Sequence, residues 1–430
     1  MTAIDLPSLL EKTQKHISKY YSLAVIEREK LPQLKSYIEK FLLDYAYTVD
    51  GYTDRQLVDR LYSEMVEYSI LTPYLGSPEL EELNINGWDD IALTYTDGRI
   101  IKLDETFWSP SHAVDIVKRL LQHSSMIIDN STPIAQGHLP NNTRITALKE
   151  PIVDEDRGIA VSIRLLHPQR VNRQNLIDTD FATEEMITFL ETCIRYGVSL
   201  VVAGRTSSGK TTLLSALLDS IPNQKRIYTI ESGARELFLV KRNENGKIIN
   251  NVVHTLSRPS DNATYNITQE HLVVASLRFN PDLIVVGEIR NEEANSAVEA
   301  SLTGHTVVST VHSGPADSAH MRIALLCQRR FQIAFDISLM QAGQAFPVVV
   351  FTHKLEDNSR KIMDISECIL HTDSRREYRT LYQYKITKND CVSGEYSISG
   401  HFEKVNPPSE SLKAKLTQFG VPREVLGVFG

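Results

Sequence analysis

At 430 residues the chain exceeds what one hydrophobic core commonly holds, so two or three domains are expected, and an apolar fraction of 42% suits packed globular units. A net charge of −8 argues against a broad electrostatic hold on nucleic acid, and no direct nucleic-acid binding is expected. No segment approaches the run of about 18 apolar residues that a membrane-spanning helix needs, and the opening MTAIDLPSLLEKTQKHISKYY lacks the apolar centre of a signal peptide, so a cytoplasmic location is expected.

Residues 1–70 carry helical apolar spacing mixed with charge, as in LKSYIEKFLLDYAYTV and RQLVDRLYSEMVEYSIL, which predicts a small helical extension. Residues 71–168 follow as an α+β domain of short alternating segments, punctuated by the turn dipeptides Asn86-Gly87 and Asp97-Gly98. A polar stretch around 169–182 reads as a linker. From 183 to 345, the apolar strands SLVVAG, RIYTIE, DLIVVGEI and TVVSTVH alternate with helical stretches, the pattern of a parallel sheet covered on both faces. The polar insertion between Lys241 and Thr268 predicts a surface excursion with a short hairpin, and 346–430 reads as an antiparallel carboxy-terminal appendage. Cys193, Cys327, Cys368 and Cys391 lack C-x-x-C spacing and read as reduced thiols, and the glycosylation-like Asn262-Ala263-Thr264 carries no weight in a chain without an export signal.

The stretch LVVAGRTSSGKTTLL contains G-x-x-x-x-G-K-[ST] between an apolar strand and a helix start. A loop with few side chains turns its backbone N–H groups inward, and the following helix adds its positive end, so the residues Gly204, Arg205, Thr206, Ser207, Ser208, Gly209, Lys210, Thr211 and Thr212 are expected to hold the phosphates of ATP. Lys210 would reach the β and γ phosphates and the Thr211 hydroxyl would ligate Mg2+.

Hydrolysis also needs a carboxylate near the γ phosphate. Glu288 ends the apolar strand of PDLIVVGEIRN, at the carboxyl edge where open α/β sheets bind ligands, and is assigned to water or magnesium. Glu231 ends RIYTIES, and Glu236 follows; one of the two could polarise water. Arg278 and Arg290 bracket the Glu288 strand and could neutralise phosphate charge within the subunit or across an interface, surface ion pairs being the simpler account. In TGHTVVSTVHSGP, His312 at the strand's end and His305 before its start are sensor candidates, with no accompanying metal-ligand spacing.

Taken in order, GRTSSGKTT, YTIES…EL, LRFNPDLIVVGEIRNEEA and TGHTVVSTVHS resemble the Walker A, Asp box, Walker B and His box of the type II/type IV secretion ATPases. The amino-terminal half resembles that family's nucleotide-covering domain in ELEELNINGWDDIAL, STPIAQGHLPNNTRITA and VSIRLL. IESGARELFLVK and the tail ending GHF are most similar to the CpaF/TadA branch, which powers tight-adherence pili. The resemblance implies a RecA-like P-loop core, a homohexamer, ATP with Mg2+, and an inner-membrane pilus or secretion platform through which the protein associates peripherally with the membrane. It also implies nucleotide contacts from Arg144 in TRITA and Arg164 in SIR. The chain departs from the family pattern at Ser232, where an aspartate is usual, and at Ser313-Gly314, where Ala-Asn is usual.

Overall fold

Two units partition the chain, Met1–His167 and Pro168–Gly430. The computed structural model describes residues 2–21, 31–122, 124, 126–139, 143–165, 171–258, 264–329, 333–372, 375–392 and 395–429. Asn262 of the glycosylation-like triplet and residues 169–170 of the expected linker lie outside them.

In the first unit, helices α1 (Leu6–Tyr20), α2 (Leu31–Tyr45) and α3 (Asp54–Val66) turn Leu9, Ile17, Leu34, Ile38, Leu57 and Leu61 into a common core. Two-residue strands β1 (Thr2–Ala3) and β2 (Tyr47–Thr48) pair in parallel beside it. Asp5 caps α1 through Ser8 N–H, and Thr53 with Gln56 forms a reciprocal capping box on α3, so both starts are fixed by side chains within four residues.

The helical extension continues into an antiparallel sheet. Strands β3 (Leu80–Gly87), β4 (Asp90–Tyr95), β5 (Ile100–Lys102), β6 (Ile134–His138), β7 (Arg144–Lys149) and β8 (Ile159–Arg164) lie in the order β5-β4-β3-β8-β7-β6. One face packs on α4 (Pro110–Gln122) through Leu83, Ile145, Ile163, Ile116, Val117 and Leu120. Asp97-Gly98 makes the β4–β5 turn, with Gly98 at φ +88°. Asn86 and Gly87 are themselves the end of β3, and the reversal falls on Trp88 and Asp89.

The second unit starts with a difference from expectation. Arg173–Asp178, within the stretch read as a linker, is helix α5, closed by an Asn172/Asn175 capping box and packed through Leu176 into the main core. Polarity there reflects a capped surface helix with one buried residue, a pattern too short for apolar periodicity to reveal.

Around it, α6 (Glu184–Arg195), α7 (Lys210–Asp219), α8 (Gln269–Ser276), α9 (Glu293–Leu302), α10 (Ala316–Gln328) and α11 (Phe335–Ala345) flank a sheet of nine strands. These are β9 (Leu200–Gly204), β10 (Arg226–Glu231), β11 (Asn251–Leu256), β12 (Leu283–Ile289), β13 (Thr306–Val311), β14 (Val348–Lys354), β15 (Arg360–Leu370), β16 (Arg376–Val392) and β17 (Glu395–Lys404), in the order β11-β10-β12-β13-β9-β14-β15-β16-β17. Helices α12 (Glu410–Gln418) and α13 (Arg423–Val428) close the chain. Period-two alternation splits each central strand between two cores: Leu200, Val202, Leu283 and Val285 face α6, α7 and α12, while Val201, Ala203, Ile284 and Val286 face α9, α10 and α11.

The polar insertion holds the Arg242–Ile248 bridge of a short hairpin, and also β11, which pairs in parallel with β10 at the sheet edge. The segment from Phe346 is not a separate appendage. Its β14 lies in the middle of the sheet, parallel to β9, and β15 to β17 extend the same sheet antiparallel. VVVF is continuously apolar because both its faces are covered, and Val348, Val349 and Val350 are fully buried.

Candidate phosphate-binding site

The loop between β9 and α7 owes its shape to two glycines and three straps. Gly209 stands at the cap of α7 with φ +92° and no side-chain cap, so the first N–H groups of the helix are left to point into the loop. A Cβ on Gly209 would lie 2.8 Å from the Phe181 ring, and one on Gly204 would lie 2.4 Å from the Thr352 carbonyl. Both positions therefore require glycine.

Lys210 is buried in the first turn of α7, and its Nζ donates to the carbonyls of Gly204 at 3.1 Å and Arg205 at 2.8 Å, folding the side chain back over the loop. The same Nζ is 3.5 Å from His312 Nδ1. His312 follows β13, adjacent to β9 in the sheet, and its Nε2 lies 3.1 Å from Glu288 Oε1, at ion-pair distance but off the line of a hydrogen bond. Glu288 accepts from the Arg290 guanidinium through Oε2. Three strands thus deliver an ammonium, an imidazole and a carboxylate to one corner of the sheet's carboxyl edge. A cavity of about 850 Å³ opens beside them, lined by Arg205, Thr206, His312, Gly314, Phe351 and His353.

Glu231 ends β10, next to β12, and is 4% exposed. Its Oε1 accepts from the N–H groups of Glu236 at 2.7 Å and Leu237 at 3.0 Å, while the buried Oε2 has no hydrogen-bond partner among the described residues. Burial outweighs these two bonds and pushes its pKa up to about 7. Glu236 meets Glu231 through its backbone, and its side-chain charge adds to the upward push. Ser232, where the family pattern has aspartate, is bonded by the Ser257 hydroxyl at 3.1 Å.

The remaining candidates separate. Arg290 joins the cluster, its positive charge reinforced by Glu288. Arg278 is exposed after α8. His305 precedes β13 and so occupies the opposite edge of the sheet from His312, in a distinct cavity of about 540 Å³ with Arg195, Lys225, Asp282 and Phe419. It therefore cannot act on phosphates held at the loop, a consequence of the six-residue strand between the two histidines. In the first unit, Arg144 and Arg164 are register partners on β7 and β8, with Arg164 4.0 Å from Glu81.

Sequence reasoning missed the straps. The Ser208 hydroxyl is 2.9 Å from Thr352 Oγ1, Thr352 Oγ1 donates to the Ala203 carbonyl at 3.2 Å, and Arg360 Nε donates to the Ser207 carbonyl at 2.8 Å. Thr352 and Arg360 belong to β14 and β15, more than a hundred residues downstream, and no local pattern marks either one. Among the described residues no group of three His, Cys, Asp or Glu side chains could hold a metal by itself. Glu288 Oε1, which accepts no hydrogen bond among the described residues, nevertheless fits a divalent cation whose other ligands are substrate oxygens, water and a hydroxyl.

A strand–loop–helix that collects N–H groups and an ammonium, with a carboxylate two strands away on β12, has the charge pattern that a polyphosphate would complement. The chain belongs to the type II/IV secretion system protein family, whose sequence profile matches residues 91–390. An uncharacterized protein of Methanocaldococcus jannaschii is 26% identical over 310 residues, 70% of this chain and 54% of that protein. The type IV secretion system protein PtlH of Bordetella pertussis is 38% identical over 143 residues, 33% of this chain and 40% of PtlH. VirB11 of the Brucella suis type IV secretion system is 25% identical over 335 residues, 70% of this chain and 88% of VirB11. The chain thus spans about half the length, or less, of the first two relatives. Among solved structures, the Brucella suis VirB11 ATPase in complex with sulphate aligns with a TM-score of 0.37 at 24% identity, covering 69% of this chain and 91% of that one. The pilus retraction motor PilT with bound ADP aligns at 0.47 and 17%, covering 80% and 83%. No described helix is long and apolar enough to cross a membrane.

Proposed function

We propose that this protein hydrolyses ATP on a RecA-like P-loop core and, as a homohexamer, drives a pilus or secretion machine from the cytoplasmic face of a membrane platform. The observation that carries the reading is the Lys210–His312–Glu288 chain, 3.5 Å and 3.1 Å in its two links, at the mouth of the loop. A structural role alone would not require an ammonium and a carboxylate bridged by an imidazole beside a nest of N–H groups.

Lys210 and the N–H groups at the start of α7 bind and neutralise the phosphates. Glu288 orients water in line with the γ phosphate, and His312, between the two, holds the carboxylate in place and responds to the charge on Lys210. Thr211 and Glu288 would hold magnesium, which when bound supplies further charge neutralisation. Arg144 and Arg164 are assigned to nucleotide binding on the family resemblance. We assign the machine to the tight-adherence pilus class on the wording IESGARELFLVK; the type IV secretion relatives favour protein or DNA export as the second reading.

Magnesium-dependent phosphate release, measured across a wide protein concentration range, tests the function. Specific activity should rise with assembly, Lys210→Ala should abolish it, and Glu288→Gln should bind ATP with little turnover. Normal turnover in Glu288→Gln would refute the assignment.

A further inference from the structure

The phosphate loop is held in shape by the carboxy-terminal part of the sheet, and one of its holders is a charged group with no role so far. Ser207 sits at φ +59°, a left-handed conformation that a non-glycine residue adopts only when its surroundings impose it. Its carbonyl is held by Arg360, the first residue of β15, whose Nε donates to it at 2.8 Å. In a trans peptide the carbonyl and the next N–H point in opposite directions. Turning the Ser207 carbonyl onto Arg360 therefore turns the Ser208 N–H the opposite way, where it donates to the Arg205 carbonyl at 3.4 Å. A carbonyl facing inward would instead set a negative dipole against the phosphates.

The two residues after Arg360 reinforce the arrangement. Lys361 Nζ donates to the Asp180 carbonyl at 2.6 Å and to its carboxylate at 2.7 Å, and Ile362 N–H donates to the Phe181 carbonyl at 2.9 Å. Phe181 is the ring against which Gly209 packs. The start of β15 thus grips the loop directly at Ser207 and through Phe181 at Gly209.

We propose that Arg360 is a positioning residue for phosphate binding: by holding the Ser207 carbonyl outside the loop it keeps the loop in the anion-binding conformation, so that the carboxy-terminal strands set nucleotide affinity. The proposal rests on the nucleotide reading of the loop. Its mechanism is a population effect, since apparent affinity falls in proportion to the fraction of protein holding the competent loop.

The test compares Arg360→Met and Arg360→Gln in the full chain. Methionine keeps the stem and its packing but has no donor; glutamine places an amide N–H where Arg360 has Nε but carries no charge. Dissociation constants for ATP with magnesium and for pyrophosphate are read by calorimetry, beside melting temperature. Arg360→Met should weaken both ligands by about tenfold and by the same factor, because the loss lies in the loop and not in base contacts, while Arg360→Gln should stay within about threefold of the unaltered protein. Equal affinities in all three proteins, with only a lowered melting temperature in the variants, would overturn the proposal. So would a glutamine variant as weak as the methionine one, since charge and not the Ser207 bond would then be at work. Failure of the nucleotide reading looks different: the unaltered protein would bind neither ligand, or would bind them as well after Lys210→Ala, and both proposals would fall.

Discussion

Replacing Glu231 by glutamine should change how stability depends on pH. Glu231 carries an ordinary value of 4.5 when unfolded and about 7 when folded, because burial outweighs the N–H bonds from Glu236 and Leu237. From pH 4.5 upward the unfolded chain releases this proton while the folded chain keeps it to about pH 7. Stability is therefore full below that window, falls as pH rises through it, and is level above it. The gap of roughly 2.5 units, at 1.36 kcal/mol per unit, amounts to about 3 kcal/mol lost between the two limits. Glu231→Gln keeps an oxygen for the two N–H groups and removes the titration, so the stability difference between variant and unaltered protein should shift by about 3 kcal/mol in the variant's favour from pH 4.5 to pH 7. Both tryptophans, Trp88 and Trp108, belong to the first unit, and Glu231 to the second. Hydrogen exchange of peptides covering β10 and β12, corrected for intrinsic rate, reads it directly. Exchange free energies that run parallel in the two proteins across this range would refute the burial argument.

Gly209→Ala should bind ATP at least about tenfold more weakly, since φ +92° strains any side chain by about 1–2 kcal/mol and the new methyl would meet the Phe181 ring at 2.8 Å; calorimetric binding at unaltered affinity would contradict this. In the first unit, the buried Glu64 carboxylate joins Ser69 Oγ at 2.6 Å, Arg60 at 3.0 Å and His112 Nε2 at 3.0 Å. Glu64→Ala strips these groups of their shared partner and should cost about 3 kcal/mol, read by urea unfolding through Trp108, which stacks on His112.

Much of this architecture is legible because buried parallel strands advertise themselves. β9, β10, β12 and β13 each appear in the sequence as an apolar run with the residue that matters at or beside its end, although folding moves β9 past β13 in the sheet. Strand polarity would also have separated His305 from His312: residues before and after one strand stand at opposite edges, so the pair could never have served one phosphate. β14 is concealed for a different reason. Its run VVVF carries the same both-faces-covered signal as β9, but in sequence it adjoins the alternating strands β15 to β17 and reads as one with them. Its neighbour in space is β9, reached by a connection of more than a hundred residues, and adjacency of that range leaves no trace in a local window.

The same distance hides half of the loop's support. Gly204, Gly209, Lys210 and Thr211 are recognisable because their spacing is itself the mechanism: glycine where the backbone must turn or approach closely, and lysine one step into the helix. Thr352 and Arg360 do their part through hydrogen bonds whose geometry depends on β14 having paired with β9 and β15 with β14. Any threonine or arginine could have occupied those places, and nothing in FTHKLEDNSRKIM distinguishes them from surface residues. The loop is consequently shaped by two kinds of residue: those that read out in sequence because they shape their own segment, and those that act only after β14 and β15 have joined β9. Substitutions of the first kind should impair the loop's intrinsic conformation, as Gly209→Ala does, while those of the second kind leave it intact as a segment and alter how often it is held. Affinity changes without loss of fold at Arg360 would be the mark of that second kind.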